Sequence, residues 1–295
     1  MKNYKSVKSP GILFMLGTAI VYNLLFIILL FIVNSYEVSV LLKLIIAAFN
    51  LYQLYYIVIY TSLVYSIDDS NIYIKSALRL KKLIIPLKDV KGYKEQLGHI
   101  NGSKISGYGK NYFAIGRALV KKIGFTYMFV TSTRNIIYIK TNDTIYGLSP
   151  ENFYDFKSKL NEKNIYETDW EYNINSNINI YKDKKIFIPF LIIAVVIVVI
   201  TFMPIIMYLN GSLKNIMPLC FNSKFVAVKF GTGKQFAFKQ MFYGLLNMAV
   251  LFCMYHAAYL YARYDKKSVY KYIYIPFVLA ITFLVIQIRI LLIFG

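Results

Sequence analysis

Strongly apolar, uncharged stretches alternate with short basic flanks along this chain, and five of the stretches are long. They occupy residues 10–33, 44–67, 186–209, 240–262 and 272–288, each bounded by charged residues. Crossing the hydrocarbon core of a bilayer takes ~20 apolar residues at ~1.5 Å rise each. The first four stretches exceed that length. The fifth continues past Arg289, whose aliphatic stem can carry its charge to the interface. Backbone amides in lipid need partners within their own segment, so the pattern predicts five transmembrane helices. Lys2, Lys5 and Lys8 precede the first run as they would in a signal peptide. That run outlasts the ~7–15 residues of a signal core and no small-residue cleavage site follows, so it reads as a retained helix.

Between residues 64 and 160 the period changes. Short apolar runs at 65–67, 72–75, 83–87, 90–95, 112–115, 125–130, 136–140 and 144–148 are separated by turn chemistry: Asp68-Asp69-Ser70-Asn71, Ser132-Thr133-Arg134-Asn135 and Asn142-Asp143. Residues 98–109 read as a glycine-rich loop. About seven short strands at this spacing predict a small barrel or sandwich. A helix should follow, capped by Ser149, with Pro150 in its first turn and Glu151 at its positive end. Phe153, Phe156 and Leu160 would share one packing face.

The stretches YSIDDSNIYIK, IIPLKDVKGY, GYGKNYFAIG and IIYIKTNDTIYGLSPENFYDFKSKL, in that order, resemble the bacterial pleckstrin-homology-like (PH-like) domain of membrane proteins from low-GC bacteria. The resemblance covers about residues 65–160 and implies a non-enzymatic scaffold, without implying phosphoinositide binding. The expected fold is therefore a membrane α-helical protein with an inserted β-rich PH-like domain. Two transmembrane helices fill 1–66, the domain 67–160, a linker 161–185, and three further helices 186–295, with a basic aromatic loop at 210–239.

Composition sharpens this picture. The chain has 295 residues, is 58% hydrophobic and carries net charge +20, with only 16% charged residues. Soluble domains are ~45–50% apolar. A basic chain suits nucleic acid or anionic lipid, and the long apolar runs select the bilayer, so no nucleic-acid partner is expected. Lys and Arg also hold short loops in the cytoplasm. Lys2, Lys5, Lys8, Lys182, Lys184, Lys185, Arg263, Lys266, Lys267 and Lys271 then lie inside. Lys43, Lys214, Lys224, Lys229, Lys234 and Lys239 lie outside. The N-terminus and the PH-like domain are expected in the cytoplasm and the C-terminus outside, unless the third span turns back at Pro204. The two cysteines, Cys220 and Cys253, exclude a disulfide framework.

Candidate chemistry is sparse. Arg79, Lys81 and Lys82 lie between two predicted strands and are candidates for anionic headgroups, or simply a solvated basic loop. Gly231-Thr232-Gly233-Lys234 lacks a phosphate loop's first glycine, because Val228 stands there, and Gln235 replaces its Ser or Thr. The segment reads instead either as a hairpin turning at 231–233, with Lys224, Lys229, Lys234 and Lys239 toward headgroups and Phe221, Phe225, Phe230, Phe236 and Phe238 toward acyl chains, or as an ordinary disordered loop. Asn247, Cys253, His256 and Arg263 are the polar candidates of the fourth span. A metal site needs three or four ligands. The other histidine, His99, lies in the β-rich insert, so neither metal nor cofactor is expected. Asn50, Gln53 and Gln287 read as interhelical glue. Glu167-Thr168-Asp169-Trp170-Glu171 reads as a solvated connector, with docking on the basic domain as the alternative. The expectation is a non-enzymatic, membrane-anchored binding or regulatory module contacting anionic lipid, a membrane protein partner or a second copy of itself. The alternative is a membrane enzyme or transporter working around His256.

Overall fold

A computed structural model of the chain describes residues 1–170, 183–262 and 266–295, with side chains from 269 onward in the last stretch. Arg263, Lys182 and Glu171 lie outside the described residues. The elements run β1 (Lys2–Lys5), α1 (Gly11–Ile32), α2 (Tyr36–Ser62), β2 (Val64–Ile67), β3 (Asn71–Lys75), β4 (Lys82–Pro86), β5 (Val90–Gln96), β6 (Gly102–Lys110), β7 (Phe113–Val120), β8 (Gly124–Val130), β9 (Ile136–Thr141), β10 (Ile145–Leu148), α3 (Phe153–Glu162), α4 (Lys184–Leu209), β11 (Ile216–Phe221), β12 (Ala227–Thr232), α5 (Gly233–Ala262) and α6 (Tyr274–Phe294). The chain divides into two compact units, Met1–Leu24 with Ala47–Asn173, and Leu25–Ile46 with Ile174–Gly295.

In the first unit β1 to β4 form one antiparallel sheet in sequence order, and β5-β9-β10-β8-β7-β6 form a second. Among the described residues this unit has ten strands, more than the seven expected from the sequence. Two of the additions have clear causes. The first is β1, formed by a segment that reads as a basic flank. It pairs with β2 from Lys2 opposite Ile67 to Lys5 opposite Val64, burying Tyr4 against Phe156. The second is β6, which replaces the expected glycine-rich loop and pairs with β7. Gly107 opposes Gly116 there, and a Cβ at Gly107 would fall 2.2 Å from the Ile115 carbonyl. Gly107 has φ +96, so only glycine fits without strain. The core joins Tyr65, Ile72, Ile74, Tyr93, Phe113 and Phe129 to the α3 face of Phe153, Phe156 and Leu160.

Asp68 closes the turn between β2 and β3 by accepting the amides of Ser70 and Asn71 at 2.9 and 2.7 Å. These bonds, with the Tyr73 hydroxyl, hold its carboxyl below the usual range. The expected solvated connector is instead docked in its described part. Tyr93 and residues 166–168 exchange backbone bonds, and the Trp170 indole donates to the Ile123 carbonyl at 3.0 Å. Lys94 and Lys140 lie over the Trp170 ring at 5.6 and 5.3 Å, so aromatic burial and cation–π contact outweigh solvation of the acidic residues.

Five helices are long and apolar enough to cross a membrane: α1, α2, α4, α5 and α6, the last with the turn before it. The second starts at Tyr36 and ends at Ser62, earlier than the expected 44–67, and residues 64–67 are strand. Charge is a poor boundary marker here because Glu37, in the first turn, is buried and paired. α4 runs unbroken through Pro189 and Pro204. A Cβ at Gly244 would meet Thr201 Oγ1 at 2.0 Å, so α5 approaches α4 closely at a small residue. In the second unit β11 and β12 form the hairpin expected in 210–239, with a different register. Its turn lies at 222–226, where Asn222 Oδ1 accepts the amides of Lys224 and Val226 at 3.0 and 2.9 Å. Gly231-Thr232-Gly233 is the strand-to-helix junction, where Thr232 and Gln235 bond each other's amides as a capping pair.

Candidate functional site

The segment from Ser76 to Lys82 joins β3 to β4 and carries exposed leucines beside exposed cations. Leu78 is 86% exposed, and Leu80 and Ile84 are also exposed. Arg79 and Lys82 are exposed, and Lys81 is half-buried with its ammonium 5.7 Å from the centre of the Phe129 ring. Leu78 and Arg79 both sit in the left-handed region, at φ 55 and 52, a conformation that costs a non-glycine residue ~1 kcal/mol or more. The surrounding bonds impose it. Ser76 and Lys81 clamp the loop through two bonds of 2.9 Å, the Ser76 amide to the Lys81 carbonyl and the Lys81 amide to the Ser76 hydroxyl. The Ala77 amide donates at 2.8 Å to the hydroxyl of Ser62, the last residue of α2. The loop is thus held open at the end of an apolar helix, presenting Leu78 with the cations Arg79, Lys81 and Lys82 after it. That arrangement suits a surface apolar beneath and anionic above.

A second connection fixes this unit to its helices. Tyr108 on β6 places its hydroxyl 2.5 Å from Thr18 Oγ1 on α1 and accepts from Gln53 Nε2 on α2 at 2.8 Å. Gln53 therefore bonds to the sheet, not to another helix. Asn50 is interhelical as expected, exchanging two amide bonds with Asn23 at 2.8 and 3.0 Å.

Residues 63–164 match the model of the bacterial PH domain family. An uncharacterized protein of Clostridium acetobutylicum is 39% identical over 290 residues, covering 98% of each chain. The chain belongs to the family of that clostridial protein, and its residues 63–164 are a bacterial PH domain. No solved structure matches it. Since β1 lies outside the matched stretch, the PH domain's first sheet borrows a strand from the N-terminus.

The other candidates belong to the second unit. Lys224, Lys229 and Lys234 are exposed on the hairpin and at the start of α5, beside exposed Val226, Val228 and Phe230. Phe221 and Phe236 are buried, whereas Phe238 is exposed. Lys239 is half-buried and committed elsewhere: its ammonium lies 3.3 Å from Glu37 Oε1 and also bonds the Leu219 carbonyl. Glu37 further accepts the Ser35 hydroxyl at 2.9 Å and faces the Tyr243 hydroxyl at 3.5 Å. Sequence reasoning had no signal for Glu37 beyond a lone acid flanking an apolar run. On α5, Asn247 is buried and bonds the Tyr243 carbonyl at 2.8 Å, while Cys253 and His256 are exposed on another face. Gln287 donates to the Ile200 carbonyl at 3.3 Å, joining α6 to α4. Among the described residues no cluster of His, Cys, Asp or Glu could hold a metal ion.

Proposed function

We propose that this protein is a non-enzymatic membrane module: five helices anchor it, and its PH domain reads the anionic surface of the leaflet to which they tether it. The observation that carries this reading is Leu78, exposed beside Arg79 on a loop hydrogen-bonded to the last residue of α2. If α2 crosses the bilayer, that loop lies at headgroup depth. Each Lys or Arg near an anionic surface gains ~1 kcal/mol, and burying a leucine side chain gains ~1.5–3 kcal/mol. Arg79 and Lys82 then add a gain that salt screens to the apolar gain of Leu78, which salt does not screen. The exposed apolar faces of the helices, with Ile20, Phe31, Val195 and Leu245 outward, fit a lipid surround. Binding of this strength suits a regulatory contact that responds to lipid composition.

The experiment places an environment-sensitive fluorophore on Leu78→Cys in full-length protein, after Cys220 and Cys253 are changed to Ser, in nanodiscs. Phosphatidylglycerol should shift the emission to the blue relative to phosphatidylcholine, and Arg79→Gln with Lys82→Gln should abolish the difference. Emission independent of lipid and equal to that of the same label on Lys121→Cys would overturn the reading.

A further inference from the structure

We infer that a pocket formed by Lys8, Ser9, Tyr112, Ser132, Thr133 and Arg134 is a binding site for a phosphate group. The pocket has a volume of about 460 Å³, within the ~300–1,000 Å³ of small-molecule sites. It is distinct from the loop at Leu78. Its lining includes Pro10, immediately before α1, and no carboxylate.

The backbone that carries both cations is held by its neighbours. Lys8 stands between two pinned residues. The Val7 amide donates to the Ser149 carbonyl at 3.0 Å, and the Val7 carbonyl accepts from Thr131 Oγ1 at 2.7 Å. Ser9 Oγ lies 2.5 Å from the Thr131 carbonyl and 2.7 Å from the Tyr60 hydroxyl. Arg134 follows a turn in which its own amide donates to Ser132 Oγ at 3.4 Å, and the Gly98 amide donates to the Thr133 carbonyl at 3.0 Å. The backbone on both sides of the pocket is therefore fixed before a ligand arrives, which lowers the ordering cost of binding.

The side chains that point to a ligand are uncommitted. Among the described residues neither Lys8 nor Arg134 has an ion-pair partner, although both are exposed. Ser132 is 5% exposed, and no described residue accepts its hydroxyl proton. A planar guanidinium donates two parallel bonds to a tetrahedral oxyanion, an ammonium adds a point charge, and a buried hydroxyl donates the third kind of bond. Several acceptor oxygens on one compact anion answer that set, and a phosphate group has them. Two sources supply that chemistry: a lipid headgroup, or free phosphate. We assign the lipid, because the pocket opens at the first residues of α1. That assignment of source, though not the site itself, rests on the proposed membrane reading.

The test titrates full-length protein in neutral detergent with dioctanoyl phosphatidylglycerol, dioctanoyl phosphatidylcholine and inorganic phosphate, reading bound species by native mass spectrometry. Phosphatidylglycerol should bind, and Lys8→Gln with Arg134→Gln should weaken it by about tenfold or more through loss of charge-assisted bonds. Arg79→Gln with Lys82→Gln should leave it within about threefold. Competition by inorganic phosphate at comparable concentration supports the site and reassigns its source to free phosphate. Equal binding by the pocket variant overturns the site; phosphatidylcholine carries the same phosphodiester, so binding of it that the pocket variant weakens supports the site. Failure of the surface reading shows separately, as a lipid-blind Leu78 label in a protein whose pocket still binds. Should the double variant misfold, a photoreactive phosphatidylglycerol used on the unmodified protein decides. Labelling of the segment 132–134 is expected, and labelling that avoids it overturns the site.

Discussion

The Tyr4 hydroxyl donates to Asp155 Oδ2 at 2.7 Å, fastening the first strand of the chain to the last helix of the PH domain. Lys2 reaches the other oxygen of the same carboxylate at 2.7 Å. Tyr4 is 2% exposed and its ring packs edge-on to Phe156. Tyr4→Ala should therefore destabilise the domain by about 3 kcal/mol, as truncation of a buried aromatic does. Tyr4→Phe should cost less. Thermal unfolding of the full chain in detergent measures both, and removal of residues 2–7 should be at least as damaging as Tyr4→Ala.

The same carboxylate sets a pH dependence. The Lys2 ammonium, then the Tyr4 hydroxyl, hold the Asp155 carboxyl below its usual range. A folded-state value below the unfolded one means the stabilisation is present above the unfolded value, about 3.9, and is lost as pH falls through the folded value. Stability should decline below about pH 4. Asp155→Asn should be less stable than the parent at neutral pH, and the gap should narrow in acid.

Tyr108 and Gln53 make a paired prediction. Gln53 is 2% exposed, and Tyr108 accepts its amide at 2.8 Å. Tyr108→Phe strands that amide without its acceptor, which costs ~1–3 kcal/mol. Adding Gln53→Leu removes the stranded group, so the double variant should recover part of the loss. A double variant no better than Tyr108→Phe would mean the Tyr108 hydroxyl matters chiefly to Thr18.

In the second unit Glu37 and Lys239 should behave as a buried pair. Their side chains are 8% and 24% exposed. Removing one partner of such a pair is costly because the other charge stays buried. Lys239→Ala should destabilise by about 3 kcal/mol, and Lys239→Met with Glu37→Gln by clearly less. By contrast, His256→Gln should leave the unfolding temperature within a degree or two of the parent (a change of well under ~0.5 kcal/mol), because the ring is exposed on α5.

What the sequence made legible follows from which patterns have one physical cause. Apolar length has one, so all five long helices were foreseen. The start of the second was not, because Glu37 and Lys43 served as boundaries while that helix runs straight through them. The α3 face of Phe153, Phe156 and Leu160 was read correctly from its spacing, and all three are buried. β1 was hidden because Lys2-Asn3-Tyr4-Lys5 offers one apolar residue among charges that a topological rule already explains. The hairpin of 210–239 was foreseen but misregistered. Glycines 231 and 233 looked like the turn, whereas the turn is built by Asn222 capping two amides with Phe225 at φ 63. Of the two basic clusters, the one at Arg79 was visible as a run of charge. The one at Lys8 and Arg134 was not, since residues 126 apart in sequence meet only through the sheet.

In the proposed function the PH domain faces the cytoplasm and the β11–β12 hairpin the outside, and thiol accessibility in intact cells tests this most directly. Cys220 and Cys253 are both exposed, so both are first replaced by Ser. Lys121→Cys lies in the exposed turn after β7 of the PH domain, and Lys224→Cys in the exposed turn of the β11–β12 hairpin. A membrane-impermeant maleimide should label Lys224→Cys in whole cells and reach Lys121→Cys only after permeabilisation. Ready labelling of Lys121→Cys in intact cells, with Lys224→Cys protected, would contradict the account.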